Sequence, residues 1–218
     1  MDGNKGIAAA LNKGIEYLNS KNIDFALTMD QDSLFPTKYY QDIMKLVNKY
    51  KTDYSVIGLN FNQENGGLDE IIEVAYWITS GNFVSISDFM SVGGFMNELF
   101  IDYVDFELGY KFKKNGFKIC YLKDFSLKHT IGNPIEIHLF GKTYYAMNHS
   151  PIRYYYRYRN AYYLYHFVDR QFFKKEYYKE TIVNILKMLI YEKNRKVKFS
   201  MIQKGIQDAK CKKMGKFN

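Results

Sequence analysis

Cysteine and proline are scarce in this chain of 218 residues. Only two cysteines, Cys120 and Cys211, and three prolines occur. Two distant cysteines exclude a disulfide framework, and they favour a reducing compartment. Long apolar runs are also missing, because the best candidate, residues 182–191, is interrupted by Asn184 and Lys187. The sequence therefore predicts no membrane-spanning helix.

Arginine is absent from the first 150 residues, and this absence divides the chain by charge. Those residues carry 14 lysines and 18 acidic residues, a net charge of −4. Residues 151–218 carry 17 basic and 5 acidic residues, a net charge of +12, and are dense in tyrosine. A basic aromatic segment of this kind suits nucleic acid or an anionic membrane surface. It matches no nucleic-acid-binding motif.

Hydrophobic periodicity predicts strands that alternate with helices in the first part of the chain. Apolar runs predict strands at residues 23–29, 54–59, 71–79, 82–86 and 117–122. Apolar spacing predicts helices at residues 4–20, 102–115 and 176–193, and Pro36 as a first helical residue predicts another at residues 36–50. A short helix over residues 88–92 is predicted with Ser87 as its N-cap. This alternation predicts an α/β domain with a mainly parallel sheet.

Two carboxylates follow the first predicted strand directly. Asp30 and Asp32 stand one residue apart, at the strand end where open α/β sheets bind ligands. Two such side chains can present oxygen atoms to one divalent cation, such as Mg²⁺ or Mn²⁺, shared with a substrate phosphate. The alternative is a solvated turn before the helix that starts at Pro36.

Three more acids stand near the start of the predicted helix at residues 102–115. Asp102, Asp105 and Glu107 would be favoured there by the helix dipole alone. The functional alternative is that one carboxylate acts as a general base on an acceptor hydroxyl. Because Asp102 and Asp105 are three residues apart, both would point from one helix face into one cleft.

Two further sites carry side chains that could bind a ligand. His129 lies on an extended segment, where it is either structural or completes a metal site begun by Asp30 and Asp32. Trp77, the single tryptophan, precedes a small polar turn and suits stacking against a sugar ring, with a core position as the alternative. No nucleophile motif, P-loop or dinucleotide-binding glycine motif is present.

The motifs of this chain, taken in their order along the sequence, resemble those of glycosyltransferase family 2. The resemblance is to the branch of rhamnosyltransferases and related galactofuranosyl transferases. The resemblance covers about residues 2–170. The motifs that carry it are N-x-G-x-x-x-A at 4–10, D-x-D at 30–32, T-S-G at 79–81, V-G-G-F at 92–95, L-F-I-D-Y-V-D-F-E at 99–107, K-H-x-x-G at 128–132 and, more loosely, R-Y-Y-x-x-R-N at 153–160.

The resemblance implies a GT-A fold, with a mostly parallel sheet flanked by helices, and an inverting, metal-dependent sugar transfer. The metal would be Mg²⁺ or Mn²⁺, and the donor dTDP-rhamnose or a UDP-sugar. Rhamnose is the sugar that this branch favours. The acceptor would be a cell-surface polysaccharide or a lipid-linked glycan.

The resemblance also implies roles for individual residues. Asp105 would be the general base, with Asp102 as the second choice. The metal would be held by Asp30, Asp32 and His129, and the donor by Asp30, Gln31 and Asp32. The acceptor side would be lined by Trp77, Thr79, Ser80, Gly81 and Asn82.

Family members begin with a strand and a helix that this sequence lacks. We therefore expect an N-terminally truncated GT-A domain over residues 1–150 and a helical, basic and aromatic extension over residues 151–218. The alternatives are an inactive fragment or partner subunit of such an enzyme, and a basic module that binds membranes peripherally. Lipid-linked acceptors favour membrane contact through residues 151–218, and no nucleic acid partner is expected. The expected location is the cytoplasm or the inner face of the cell membrane.

Overall fold

The computed structural model describes residues 3–61, 70–129, 134–139 and 141–217. The chain forms two compact units: the first comprises Met1–Asn97 and Val104–Thr130, and the second comprises Glu98–Tyr103 and Ile131–Asn218. The polar residues 60–69, which include Gly66 and Gly67, predict a loop, and most of this loop lies outside the described residues. The predicted domain boundary at residue 150, the N-terminal truncation and the extension stay predictions.

The first unit is built on a five-stranded sheet. Its strands, with a short two-stranded pair beside them, are β1 (Phe25–Thr28), β2 (Ser33–Leu34), β3 (Val56–Asn60), β4 (Ile71–Val74), β5 (Asn82–Ser85), β6 (Ile119–Ser126) and β7 (Lys128–His129). The sheet order is β1-β5-β3-β6-β4, and β2 pairs with β7. Strands β1, β3 and β6 run in one direction, while β5 and β4 run in the other.

The sheet is therefore mixed, with three of its described strands pointing in one direction. Strands β3 and β6 pair in parallel, and the remaining neighbours pair antiparallel. The predicted α/β class is confirmed, and the arrangement is consistent with a GT-A-like transferase. The predicted strand over residues 71–79 is too long, because β4 ends at Val74.

Four helices flank this sheet: α1 (Ile7–Asn19), α2 (Tyr40–Tyr50), α3 (Ile86–Ser91) and α4 (Val104–Lys114). Helix α2 presents Ile43 and Val47 to a core that includes Ile57 and Leu59 of β3. The predicted N-cap Ser87 is wrong. The Ser85 side chain accepts the hydrogen bond from the Asp88 N–H instead, because β5 ends two residues earlier than that assignment requires.

The second unit consists of a hairpin and a group of helices. Its elements are β8 (Ile135–Leu139), β9 (Lys142–Ala146), α5 (Pro151–Tyr163), α6 (Arg170–Tyr178), α7 (Ile185–Tyr191) and α8 (Arg195–Lys210). A π-helical turn extends α5, and a second one, Lys179–Asn184, joins α6 to α7. Helix α8 packs along α5 at Gly205, where a Cβ atom would come within 2.4 Å of the Tyr155 carbonyl oxygen. Within the described ranges, no helix is long and apolar enough to cross a bilayer.

Candidate active site

The turn that carries the D-x-D motif is fixed to the turn before β5. The Asp30 backbone N–H donates to Ser80 Oγ at 3.0 Å, and the Ser80 hydroxyl donates to Ser33 Oγ at 2.8 Å. Ser80 is buried, so water competes little for these hydrogen bonds. The structure therefore brings the predicted donor turn and the predicted acceptor turn together.

The end of β1 makes two further hydrogen bonds to the same turn. The Gly81 N–H donates to the Thr28 carbonyl at 2.7 Å, and the Thr28 hydroxyl donates to the Thr79 carbonyl at 2.5 Å. Gly81 has a φ of 77°, a left-handed conformation that favours glycine. The T-S-G motif is thus a turn whose backbone and side chains tie β5 to β1.

The donor set of the D-x-D turn fits a divalent cation that is shared with phosphate. Asp30 is half-buried, whereas Gln31 and Asp32 are exposed. The backbone of His129 pairs with Ser33, next to Asp32, while the His129 side chain lies outside the described residues. No group of three metal-binding side chains occurs within the part of the chain that the structure describes. Mg²⁺ commonly takes one or two carboxylates and fills its other positions with water and substrate phosphates, so the metal role of Asp30 and Asp32 stays a prediction.

A narrow cleft with a free volume of about 20 Å³ lies in the first unit. Four of the predicted site residues line it: Trp77, Thr79, Asn82 and Asp105. Asp105 lies half-buried in the first turn of α4. The structure therefore brings the predicted base and three of the predicted acceptor residues to one cleft.

Trp77 is held in the wall of this cleft by three neighbours. Its indole N–H donates to the Leu59 carbonyl at 2.9 Å, and its ring stacks on Tyr121 with centroids 4.2 Å apart. A Cβ atom at Gly58 would come within 2.3 Å of the ring, so only glycine lets the tryptophan lie against β3. Sequence reasoning missed Gly58, although an isolated glycine in a strand signals such a close approach.

A second glycine sets the position of the helix that carries Asp105. A Cβ atom at Gly109 of α4 would lie 2.4 Å from the Cβ of Tyr76 and 2.8 Å from the Ala75 carbonyl oxygen. The Tyr76 ring lies against Phe106, with centroids 4.1 Å apart. The segment before Trp77 and helix α4 therefore approach each other as closely as backbones can, which places both walls of the cleft.

Asn82 presents a buried hydrogen-bond acceptor. Its side chain is 5% exposed, and its amide N–H donates to the Ile78 carbonyl at 2.5 Å. Its Oδ1 atom has no hydrogen-bond partner among the described residues. Buried polar atoms are nearly always paired in folded proteins, so a hydroxyl donor in the cleft would satisfy this atom.

Asp102 does not share a helix face with Asp105, and that prediction is wrong. Helix α4 begins at Val104, and Asp102 has a φ of 63° in the second unit. Its carboxylate accepts hydrogen bonds from Arg153 at 3.1 to 3.3 Å and lies 3.5 Å from Arg157 Nη1. The carboxylate of Asp102, the second choice for the general base, is therefore paired with two guanidinium groups.

The R-Y-Y-x-x-R-N motif holds the segment around Asp102. The Asn160 side-chain amide donates to the carbonyls of Leu99, Ile101 and Asp102 at 2.8 to 3.0 Å. The Arg159 guanidinium donates to the Leu99 carbonyl at 2.9 Å. This role was not predicted, because no local sequence signal links residues 60 positions apart.

Comparison with curated proteins relates the chain to a named enzyme. It is 31% identical to the dTDP-rhamnosyl transferase RfbF of Shigella flexneri over 183 residues, which cover 74% of this chain and 60% of that protein. The similarity supports a glycosyltransferase relationship. The chain spans less than two thirds of the length of this relative. No family model matches the chain.

Proposed function

We propose that this chain transfers rhamnose from dTDP-rhamnose to a hydroxyl group of a cell-surface polysaccharide or a lipid-linked glycan. The observation that carries the proposal is the cleft where Asp105 lies with Trp77, Thr79 and Asn82. The similarity to a dTDP-rhamnosyl transferase supports the choice of the donor. Membership of family 2 and the GT-A fold are part of the proposal.

The donor diphosphate binds at the D-x-D turn in this proposal. Asp30 and Asp32 would hold a Mg²⁺ or Mn²⁺ ion together with the diphosphate, with His129 as a further metal ligand, and Gln31 would contact the donor. When bound, the cation would neutralise the charge that grows on the leaving diphosphate. Two hydrogen bonds hold the turn: the Asp30 N–H donates to Ser80 Oγ, and the Ser80 hydroxyl donates to Ser33 Oγ.

In this proposal the acceptor binds at the mouth of the cleft, and its hydroxyl group is activated by Asp105. Trp77 supplies an apolar wall for a sugar ring, and the buried Oδ1 of Asn82 accepts a hydrogen bond from an acceptor hydroxyl. The Asp105 carboxylate takes the proton of the acceptor hydroxyl while the oxygen of that hydroxyl bonds to the anomeric carbon. The bond from that carbon to the diphosphate breaks in the same step, and the diphosphate leaves with the electron pair. One displacement with one base inverts the anomeric configuration.

Replacing Asp105 by asparagine tests the assignment of the base. We expect Asp105→Asn to lower rhamnose transfer to glycoside acceptors by about 10²- to 10⁴-fold, because general base catalysis contributes that much. Binding of thymidine diphosphate with Mn²⁺ should be unchanged. Asp124→Asn is the matched control, because Asp124 is exposed on β6 and away from the cleft residues. Equal turnover of the two variants would contradict the role of Asp105.

A thermal shift tests the donor side separately. A ligand at a hundred times its Kd stabilises a protein by about 2.7 kcal/mol, which raises the Tm of a chain of this size by roughly 5–11 °C. We expect thymidine diphosphate with Mn²⁺ to give such a shift, and EDTA or Asp30→Ala to abolish it. A shift without any transfer would favour the alternative, an inactive fragment or a partner subunit. No shift from the folded chain would refute the donor site.

A further inference from the structure

The helical segment Arg170–Tyr191, formed by α6, a π-helical turn and α7, buries Phe173 and Met188, but it also buries acidic side chains and exposes several apolar ones. Glu180 of this segment and Glu192 directly after it are buried. Ile182, Leu186 and Ile190 are instead 53%, 53% and 61% exposed. An amphipathic helix of a protein surrounded by water shows the opposite distribution.

The buried acids fix the rotation of the segment about its axis. Glu180 pairs with Arg157 at 2.7 Å, and Glu192 pairs with Lys198 at 2.7 Å. Glu192 also accepts a hydrogen bond from the Tyr154 hydroxyl at 2.7 Å. Rolling the helix to bury its apolar face would leave these charges unpaired, and removing one partner of a buried ion pair is strongly destabilising.

Four of the exposed apolar residues form one stripe, which we call the outer stripe: Tyr178, Ile182, Leu186 and Ile190. Val183 and Tyr191 of the same segment are exposed as well. Residues four apart in an α-helix drift around the axis, because a turn takes 3.6 residues. The wider π-helical turn, Lys179–Asn184, counters that drift in the middle of the segment. The outer stripe therefore stays on one side over three turns.

The charges around the outer stripe have one sign. Basic side chains are exposed at both of its ends: Lys174, Lys175, Lys179, Lys193, Arg195 and Lys196. Four acidic residues lie between residues 170 and 210, and none of them is exposed. Glu176 is half-buried, and Glu180, Glu192 and Asp208 are buried. A surface that meets this segment must accept both apolar side chains and positive charge.

We propose that the outer stripe docks on an anionic lipid bilayer, with the segment lying in the plane of the headgroups. Helices that bind this way place an apolar face at the acyl boundary and Lys or Arg side chains among the anionic headgroups. The exposed aromatic ring of Tyr178 suits the headgroup level, since it is apolar with a polar tip. This inference stands on residues 170–196 and does not rest on the proposed sugar transfer.

Sedimentation of the full chain with lipid vesicles tests the apolar part of the surface. We expect binding to phosphatidylcholine vesicles that contain phosphatidylglycerol, little binding to phosphatidylcholine alone, and release at high salt. Ile190→Asn should weaken binding on the order of tenfold, because it removes one buried side chain from the acyl boundary. Ile23→Asn is the matched control, since Ile23 is 46% exposed in the first unit. Equal effects of the two substitutions would overturn the proposal.

A triple substitution tests the charges in the same assay. Lys174, Lys175 and Lys179 changed together to glutamine should weaken vesicle binding about fivefold per charge, or on the order of 10²-fold in all. The control changes Lys5, Lys13 and Lys21 to glutamine, which alters the net charge equally at exposed positions elsewhere. If both triple variants lost vesicle binding equally, the effect would come from net charge alone, and the assignment of the outer stripe to a lipid surface would be overturned. A dimer in solution that Ile190→Asn dissociates, without vesicle binding, would assign the stripe to a second copy and also overturn it.

Discussion

Replacing Asn160 by alanine would release the backbone segment that precedes α4. The Asn160 side chain is completely buried, and its amide reaches three carbonyl oxygens of residues 99–102. Its Oδ1 atom accepts a hydrogen bond from Arg159 Nε at 3.0 Å. Alanine at this position keeps the helix α5 but removes every one of these contacts.

The cost follows from the groups that lose their partner. The Leu99 carbonyl keeps its bond to the Arg159 guanidinium, so the Ile101 and Asp102 carbonyls and Arg159 Nε are left. A buried polar group without a partner costs about 1–3 kcal/mol. The two carbonyl contacts are partly reached by water, so we expect a total loss of about 3–5 kcal/mol. A typical domain has a free energy of unfolding of about 5–15 kcal/mol, so this loss is a large part of it. We expect it to lower the Tm by roughly 6–20 °C.

Urea unfolding followed by far-UV circular dichroism measures this loss. The matched control is Asn115→Ala, because Asn115 is exposed and its amide makes one hydrogen bond, to the Lys111 carbonyl at 2.8 Å. We expect the control to lose less than about 1 kcal/mol. The reasoning would be refuted if Asn160→Ala and the control lost free energy of unfolding within about 1 kcal/mol of each other. The slope of the free energy of unfolding against urea concentration must be unchanged for this comparison. Asn160→Asp should be worse than alanine at neutral pH, since it turns a charged acceptor toward carbonyl oxygens.

Two further predictions concern stability. Burial, aided by two nearby arginines, lowers the pKa of His149 to about 4, so the unfolded chain binds this proton first as pH falls. The free energy of unfolding should therefore drop between about pH 6.5 and 4, by up to about 1.4 kcal/mol per pH unit. His149→Gln should remove that contribution, and identical pH profiles in urea titrations would contradict it. Gly109→Ala should cost about 1–3 kcal/mol, because the new Cβ meets a carbonyl oxygen at 2.8 Å. Gly14→Ala in α1, with nothing within 4 Å, should instead stabilise by about 0.5–1 kcal/mol in the same melts.

Local sequence patterns predicted the elements whose stability is local. Apolar spacing predicted a helix over residues 4–20, and α1 spans Ile7–Asn19, because a helix face follows from residues three and four apart. The N-cap of α3 was misassigned from Ser85 to Ser87, since both serines suit a cap and the choice depends on where β5 ends. That end is set by pairing with β1 and β3, which the local pattern does not contain.

The candidate site was predictable where its residues follow strand and helix ends. Asp105, Trp77, Thr79 and Asn82 line one cleft, and the family resemblance implied a base and an acceptor side at these positions. The failure concerned Asp102. Helical spacing assumes a helical backbone, and an aspartate gives only a weak signal for a left-handed φ. The buried Asn160 amide holds the backbone around Asp102, and a contact between residues this far apart in the sequence is not visible in a local pattern.

The strained segment explains why one acidic motif serves two purposes. Phe100, Asp102 and Tyr103 adopt φ values of 63° to 68°, and each costs of order 1–3 kcal/mol. Such a conformation persists only where its surroundings determine it, and here the side chains of α5 do so. The Asp102 carboxylate forms ion pairs with two arginines. Asp105, three residues later, lines the cleft instead. If Asp102→Asn lowered stability but left transfer intact, while Asp105→Asn did the reverse, the anchor and the proposed base would be separate parts of one short motif.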